Sequence, residues 1–91
     1  MAQVAIYTKR WCPYCVYAKA RLEQLGVAFD DIDVTDDRAR EREMINRAGR
    51  TSVPQIFVGT HHVGGSDDLD AAIASGEFEK LLRAGDEASA A

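Results

Sequence analysis

Apolar residues fall along this chain in two kinds of pattern. Short unbroken runs alternate with longer stretches in which apolar positions return every three or four residues. Val4 to Thr8, "VAIYT", is of the first kind, β-branched and aromatic, and predicts a buried strand. Residues 9 to 12 read as a loop. Pro13 suits the first position of a helix, where its missing N–H costs nothing. Val16, Ala20 and Leu22 to Leu25 supply that helix with an apolar stripe, and Gly26 stops it. Val27 to Val34, "VAFDDIDV", predicts a second strand. Its Asp30 and Asp31 suit a sheet edge or a solvent-facing side. "TDDRAREREMINRAGR" predicts a second helix, capped by Asp36 or Asp37 and ended by Arg47 and Gly49. Met44, Ile45 and Ala48 form its buried face, and its other charges read as a solvated face.

Gln55 to Val58 predict a third strand. Gly59-Thr60 fits a two-residue hairpin turn of type II′, which wants Gly first. His61 to Val63 return antiparallel, one histidine inward and one outward. Gly64-Gly65 break the strand, and Ser66 caps a third helix running to about Ser75. "EFEKLLRAG" is a short last helix whose Phe78, Leu81 and Leu82 cover the sheet. "DEASAA" reads as a frayed tail. The order is β-α-β-α-β-β-α-α. The first half gives a parallel pair through a right-handed crossover, and the hairpin adds an antiparallel pair. The expected fold class is α/β, a mixed four-stranded sheet with helices on both faces. One domain spans 1–84, and 85–91 form a flexible tail.

Composition narrows the function. The chain has 91 residues, 46% of them hydrophobic and 29% charged, with a formal net charge of -4. That balance suits one small globular domain and gives nucleic acid no cationic surface. No apolar run approaches the roughly 20 residues of a membrane span. The N-terminus lacks the charged start and apolar stretch of a signal peptide. The expectation is a cytoplasmic protein with no membrane partner.

The two cysteines, Cys12 and Cys15, stand in "CPYC". A closed zinc site wants four ligands, usually from two such pairs, and only one pair exists here. A purely structural bridge does not suit a reducing compartment. A redox dithiol fits both the spacing and the strand–loop–helix setting. The helix start then separates the thiols. Cys12 falls at the N-cap, where unsatisfied N–H groups and the helix dipole favour an anion. Lys9 and Arg10 add positive charge, and together these features should favour the Cys12 thiolate. Cys15 lies a turn further in, facing inward. Cys12 is thus the expected nucleophile and Cys15 the resolving thiol.

At this point the sequence resembles a glutaredoxin. The resemblance rests on "CPYC" after a first strand, on "RTSVPQIFVG" and on "GGSDDL", in that order, and covers roughly Gln3 to Arg83. It is most similar to the small bacterial dithiol class. The resemblance implies a thioredoxin-like fold and a glutathione site. In that site Val53 would precede a cis Pro54 and offer its backbone to the peptide's cysteinyl unit. Gly65, Ser66 and Asp67 at a helix start would hold the γ-glutamyl carboxylate and α-amino group. Lys9 would meet the glycyl carboxylate, with Arg50 assisting, and Tyr14 would pack beside the sulfurs. Each also has a plainer reading: Lys9 as a surface lysine, Arg50 as the end of the second helix, Ser66 as a cap alone. Asp68 reads as a first-turn acid, and Tyr17 packs or lies at the surface.

The implied activity is glutathione-dependent thiol–disulfide exchange, with glutathione as co-substrate and no permanently bound cofactor or metal. Glutathionylated or disulfide-containing proteins would be the other partners, ribonucleotide reductase being the one the family suggests, and the chain would act as a monomer. The alternatives are a thioredoxin-like reductase fed by a flavoenzyme and a carrier of a [2Fe–2S] cluster, which Pro13 disfavours. Two positions depart from the family pattern. Trp11 stands where a smaller residue is common, and Ser66 replaces a third cysteine of some close relatives.

Overall fold

A computed structural model describes residues 2–90, with side chains as far as Ala84. The elements are β1 (Val4–Thr8), α1 (Pro13–Gln24), β2 (Phe29–Asp33), α2 (Arg38–Ala48), β3 (Gln55–Val58), β4 (His61–Gly64), α3 (Ser66–Ser75) and α4 (Glu77–Ala90). The sheet order is β2-β1-β3-β4. β1 runs parallel to β2 and antiparallel to β3, and β3 runs antiparallel to β4. This is the expected α/β architecture, with the central strands β1 and β3 buried on both faces. The flexible tail expected over 85–91 falls where no side chains are described.

The sheet divides the core in two. One face gathers Val4, Ile6, Ala18, Leu22, Ile56, Val58, Leu69, Phe78 and Leu82, drawn from β1, β3, α1, α3 and α4. The other holds Tyr7, Val34, Met44 and Phe57. Alternation along β1 sends Val4 and Ile6 to one face and Tyr7 to the other. Each buried aliphatic side chain contributes about 1.5–3 kcal/mol relative to exposure. The smaller core carries polar groups at its rim. The Tyr7 hydroxyl donates to Glu43 (3.0 Å) and accepts from Arg47 (2.8 Å), whose guanidinium lies 4.1 Å from the Phe57 ring centre.

Several expectations shift. The buried face of α1 is Cys15, Ala18 and Leu22, while Val16 (64% exposed) and Leu25 point outward. With the helix starting at Pro13, the 3.6-residue period puts these three on one side and Val16 on the flank. β2 is shorter than Val27–Val34 because the Val27 N–H turns back to the Leu22 carbonyl (3.0 Å), closing α1. It does lie at the sheet edge. Gly64 belongs to β4, opposite Ile56 beside a bulge in the ladder. α4 continues past Gly85, to Ala90. The hairpin agrees with type II′: Gly59 has φ +60, and Thr60 is not among the residues with positive φ.

Candidate active site

Cys12 is the N-cap of α1. Its extended backbone (φ -102, ψ 105) lets its sulfur accept the Cys15 N–H at 3.3 Å, and no acid stands in the first turn. A thiol therefore occupies the place of the usual Ser or Asp, against the positive end of the helix. Cys12 is partly exposed, whereas Cys15 is 1% exposed, and both are free thiols. Burial, reinforced by the hydrogen bond to Cys12, pushes the Cys15 thiol up to about 12, against a partial opposing effect of the Lys9 backbone. The two sulfurs are thus unequal: Cys12 is partly exposed at the helix start, and Cys15 is buried and held protonated.

The neighbouring cations are committed elsewhere. Lys9 pairs with Glu41 on α2 at 2.7 Å. Arg10 pairs with Asp36, and more distantly with Asp33. The positive charge that the sequence places before Cys12 is therefore largely answered by the β2–α2 acids.

Beside Cys12 lies a cleft of about 280 Å³, lined by Tyr14, Arg50, Ser52, Val53, Pro54, Gly65, Ser66, Asp67 and Asp68. Three segments far apart in sequence meet there: the first turn of α1, the loop before β3 and the start of α3. The Val53–Pro54 peptide is cis. The Cys12 thiol points at the Val53 carbonyl, 3.9 Å away, which ties the sulfur to the cleft wall. Of the residues expected to bind glutathione, only Lys9 lies outside the lining, because Glu41 holds it.

The start of α3 differs from expectation. Gly65 is the N-cap, and Ser66 is the first helical residue. The first N–H groups of any helix lack an intrahelical partner, and here glycine brings no capping side chain to accept from them. Asp68 reaches back to accept the Gly65 N–H at 2.9 Å and pairs with Arg50 at 3.0 Å. Those two interactions, the backbone N–H first, hold its carboxyl below the usual range. A Cβ on Gly64 would stand 2.4 Å from an Asp68 oxygen, and Gly64 has φ +122, so only glycine leaves that acid in place.

A second layer supports the wall and was not anticipated. The His62 ring meets the buried Gln55 amide (2.7 Å), which donates to the carbonyl and hydroxyl of Ser52 (3.0 and 3.2 Å). Burial, with Arg50 nearby, lowers the His62 pKa. His61 faces solvent, as expected. Tyr17 stays at the surface, its hydroxyl donating to Asp70 at 2.7 Å. Among the described residues no group of three or more His, Cys, Asp or Glu could hold a metal ion. No described helix is long and apolar enough to cross a membrane.

A family model described as Glutaredoxin matches residues 4–63, from β1 through the cysteine pair and the cis proline to β4. The chain belongs to the glutaredoxin family. Glutaredoxin 3 of Escherichia coli (strain K12) is 51% identical over 83 residues, 91% of this chain and 100% of that protein. The solution structure of glutaredoxin from Brucella melitensis superposes with a TM-score of 0.81 at 46% identity, covering 93% of this chain and 92% of the other. The crystal structure of a buckwheat glutaredoxin–glutathione complex has the same thioredoxin-like fold, with a TM-score of 0.82 at 24% identity over 92% of this chain and 79% of that one. Family and fold together support a thiol–disulfide oxidoreductase, and the CxxC spacing of this glutaredoxin provides its redox centre.

Proposed function

We propose that this glutaredoxin reduces glutathione mixed disulfides and protein disulfides, with Cys12 as nucleophile and glutathione as the electron donor. The observation that carries the reading is the cleft beside Cys12, where a cation, bare helix N–H groups and an acid converge. Glutathione has two carboxylates, one α-amino group and a peptide backbone. The α3 N–H groups suit the γ-glutamyl carboxylate. Asp67 suits the α-amino group. The Val53 backbone suits the cysteinyl unit. Arg50 suits a carboxylate, and Tyr14 packs on the ligand. Lys9 joins by exchanging Glu41 for the glycyl carboxylate, a small cost because an exposed pair is worth about 0–1 kcal/mol.

The chemistry is thiolate exchange. The Cys12 thiolate attacks the glutathionyl sulfur, the old S–S bond breaks, and the substrate leaves as a thiolate that takes a proton from solvent. A second glutathione thiolate attacks the Cys12–glutathione bond, releasing glutathione disulfide and the Cys12 thiolate. With a protein disulfide, Cys12 forms the mixed disulfide. Cys15 then loses its proton, attacks Cys12 and expels the protein thiolate. The resulting Cys12–Cys15 disulfide is reduced by two glutathiones. No bound cofactor is required.

The deciding assay is reduction of a glutathione mixed disulfide coupled to glutathione reductase. The wild type and Cys15→Ser are expected to turn over, and Cys12→Ser to be inactive. Disulfide reduction that ignores glutathione but saturates with a flavoenzyme reductase would overturn the reading in favour of a thioredoxin-like one.

A further inference from the structure

Trp11 has no part in the glutathione cleft, yet it adjoins Cys12 in the chain and is 89% exposed. It is also the one non-glycine residue with positive φ among those described, at +58. A bulky residue in that region is unfavourable, and leaving an indole in water gains nothing. Its setting is nevertheless organised. The Arg10 guanidinium lies over the ring, 5.8 Å from its centre, and is itself held by Asp36 and Asp33. The Arg10 N–H donates to the Thr35 hydroxyl at 2.8 Å, anchoring the loop to the connection between β2 and α2. One face of the indole is thus backed by a cation, and the rest is open. Tyr14, 66% exposed, stands on the far side of Cys12 in sequence.

We propose that Trp11 is a specificity platform for polypeptide substrates. It packs on the residues adjoining the substrate's cysteine and favours disulfides flanked by aromatic side chains. The argument is continuity with the reacting sulfur. When Cys12 forms a mixed disulfide with a polypeptide, the neighbours of the incoming cysteine must lie within a residue's reach of Trp11. The tether makes the contact intramolecular, so a weak aromatic pairing counts fully. The proposal rests on Cys12 being the attacking thiol, and takes nothing from the assignment of glutathione.

The test uses the Cys15→Ser protein and two peptides with cores Phe-Cys-Phe and Ser-Cys-Ser, each activated as a disulfide with 2-nitro-5-thiobenzoate. The Cys12 thiolate attacks the peptide sulfur, forms the Cys12–peptide disulfide and expels the coloured aromatic thiolate, whose absorbance gives the rate. Rates are normalised to those of 2-mercaptoethanol with the same peptides. The Phe peptide is expected to react about two- to tenfold faster, the range that an aromatic contact of about 0.5–1.5 kcal/mol converts to. Adding Trp11→Asn, which tolerates positive φ, should bring the ratio to about one, and Trp11→Phe should keep it. Trp11 is the single tryptophan of the chain, so its emission reports directly on the contact. After removal of the aromatic thiolate, emission should shift to the blue in the Phe adduct alone. Equal normalised rates, or a ratio that persists in Trp11→Asn, overturn the proposal. Emission that shifts with protein concentration before any peptide is added assigns the indole to a second copy of the chain and also overturns it. No arm needs glutathione, so loss of glutathione-coupled turnover with the peptide preference intact would count against the glutathione reading alone.

Discussion

Two helix starts meet at the cleft, and they are built in opposite ways. At α1 the cap is a thiol, the proposed reagent. The Cys12 sulfur takes the Cys15 N–H, Pro13 follows, and no acid stands in the first turn. At α3 the cap position holds Gly65 with no side chain, followed by Asp67 and Asp68 in the first turn. The same positive helix end thus serves two purposes. One start places a sulfur of the protein itself against its N–H groups. The other leaves backbone N–H groups open to an anion from outside, with Asp68 committed to Gly65 and Arg50. On the proposed reading one helix start makes a nucleophile and the other a binding site, and the residue at the cap decides which.

The comparison can be broken most severely at α1. Cys12→Ser keeps a capping oxygen but removes the nucleophile, so turnover with any disulfide should fall to background in the coupled assay. Cys15→Ser comes next and should split the activities. Reduction of a protein disulfide is expected to be lost while glutathione mixed disulfides still turn over, and equal loss of both would refute the assigned roles. At α3 the effects are smaller. Asp67→Asn should raise the KM for the glutathione disulfide by about tenfold, the loss of one charge-assisted hydrogen bond of roughly 1.5 kcal/mol, with kcat little changed. Gly64→Ala should displace Asp68 and strain a positive-φ position, costing about 1–3 kcal/mol in urea unfolding. Near neutral pH the mildest effect is on pH dependence. The Cys15 thiol is held at about 12 in the fold against 9.0 as its ordinary value. The folded state therefore binds this proton more tightly, so the contribution is complete below pH 9 and is lost as pH rises from 9 towards 12. Iodoacetamide at pH 8 should accordingly label Cys12 and spare Cys15 until the chain is unfolded.

What could be read from residues alone follows the range of the interactions concerned. β1 and β3 have the expected bounds because each is a short apolar run buried on both sides, a local signal. The α2 stop at Gly49 was equally legible, and its cap was narrowed to Asp36 or Asp37, of which the structure selects Asp37, since caps act within one turn. The phase of α1 was not. Val16 and Leu25 are as apolar as Leu22, and although the helix start at Cys12 was legible, only the packing shows that Ala18 and Leu22 join Cys15 on the inner side. Ser66 looked like a cap because serine commonly is one. A glycine in that role carries no side-chain signature, and only the bond from the Gly65 N–H to Asp68 reveals it. The Lys9–Glu41 pair and the His62–Gln55–Ser52 chain join residues from different elements, so no spacing rule exposes them. The residues of the cleft were recognisable as a family pattern, and their convergence is a property of the fold.

Asp70, one turn into α3, accepts from the Tyr17 hydroxyl at 2.7 Å and from Arg21 at 3.2 Å, both on α1. That clasp joins the two helices directly. The cleft between the Cys12 sulfur and the open N–H groups of α3 is therefore bounded by two helices tied to each other. On the proposed reading, a disulfide is measured by length as well as by chemistry. A tripeptide that carries its carboxylate well away from its sulfur would touch both helix starts at once, and the disulfide of a single amino acid would touch only one.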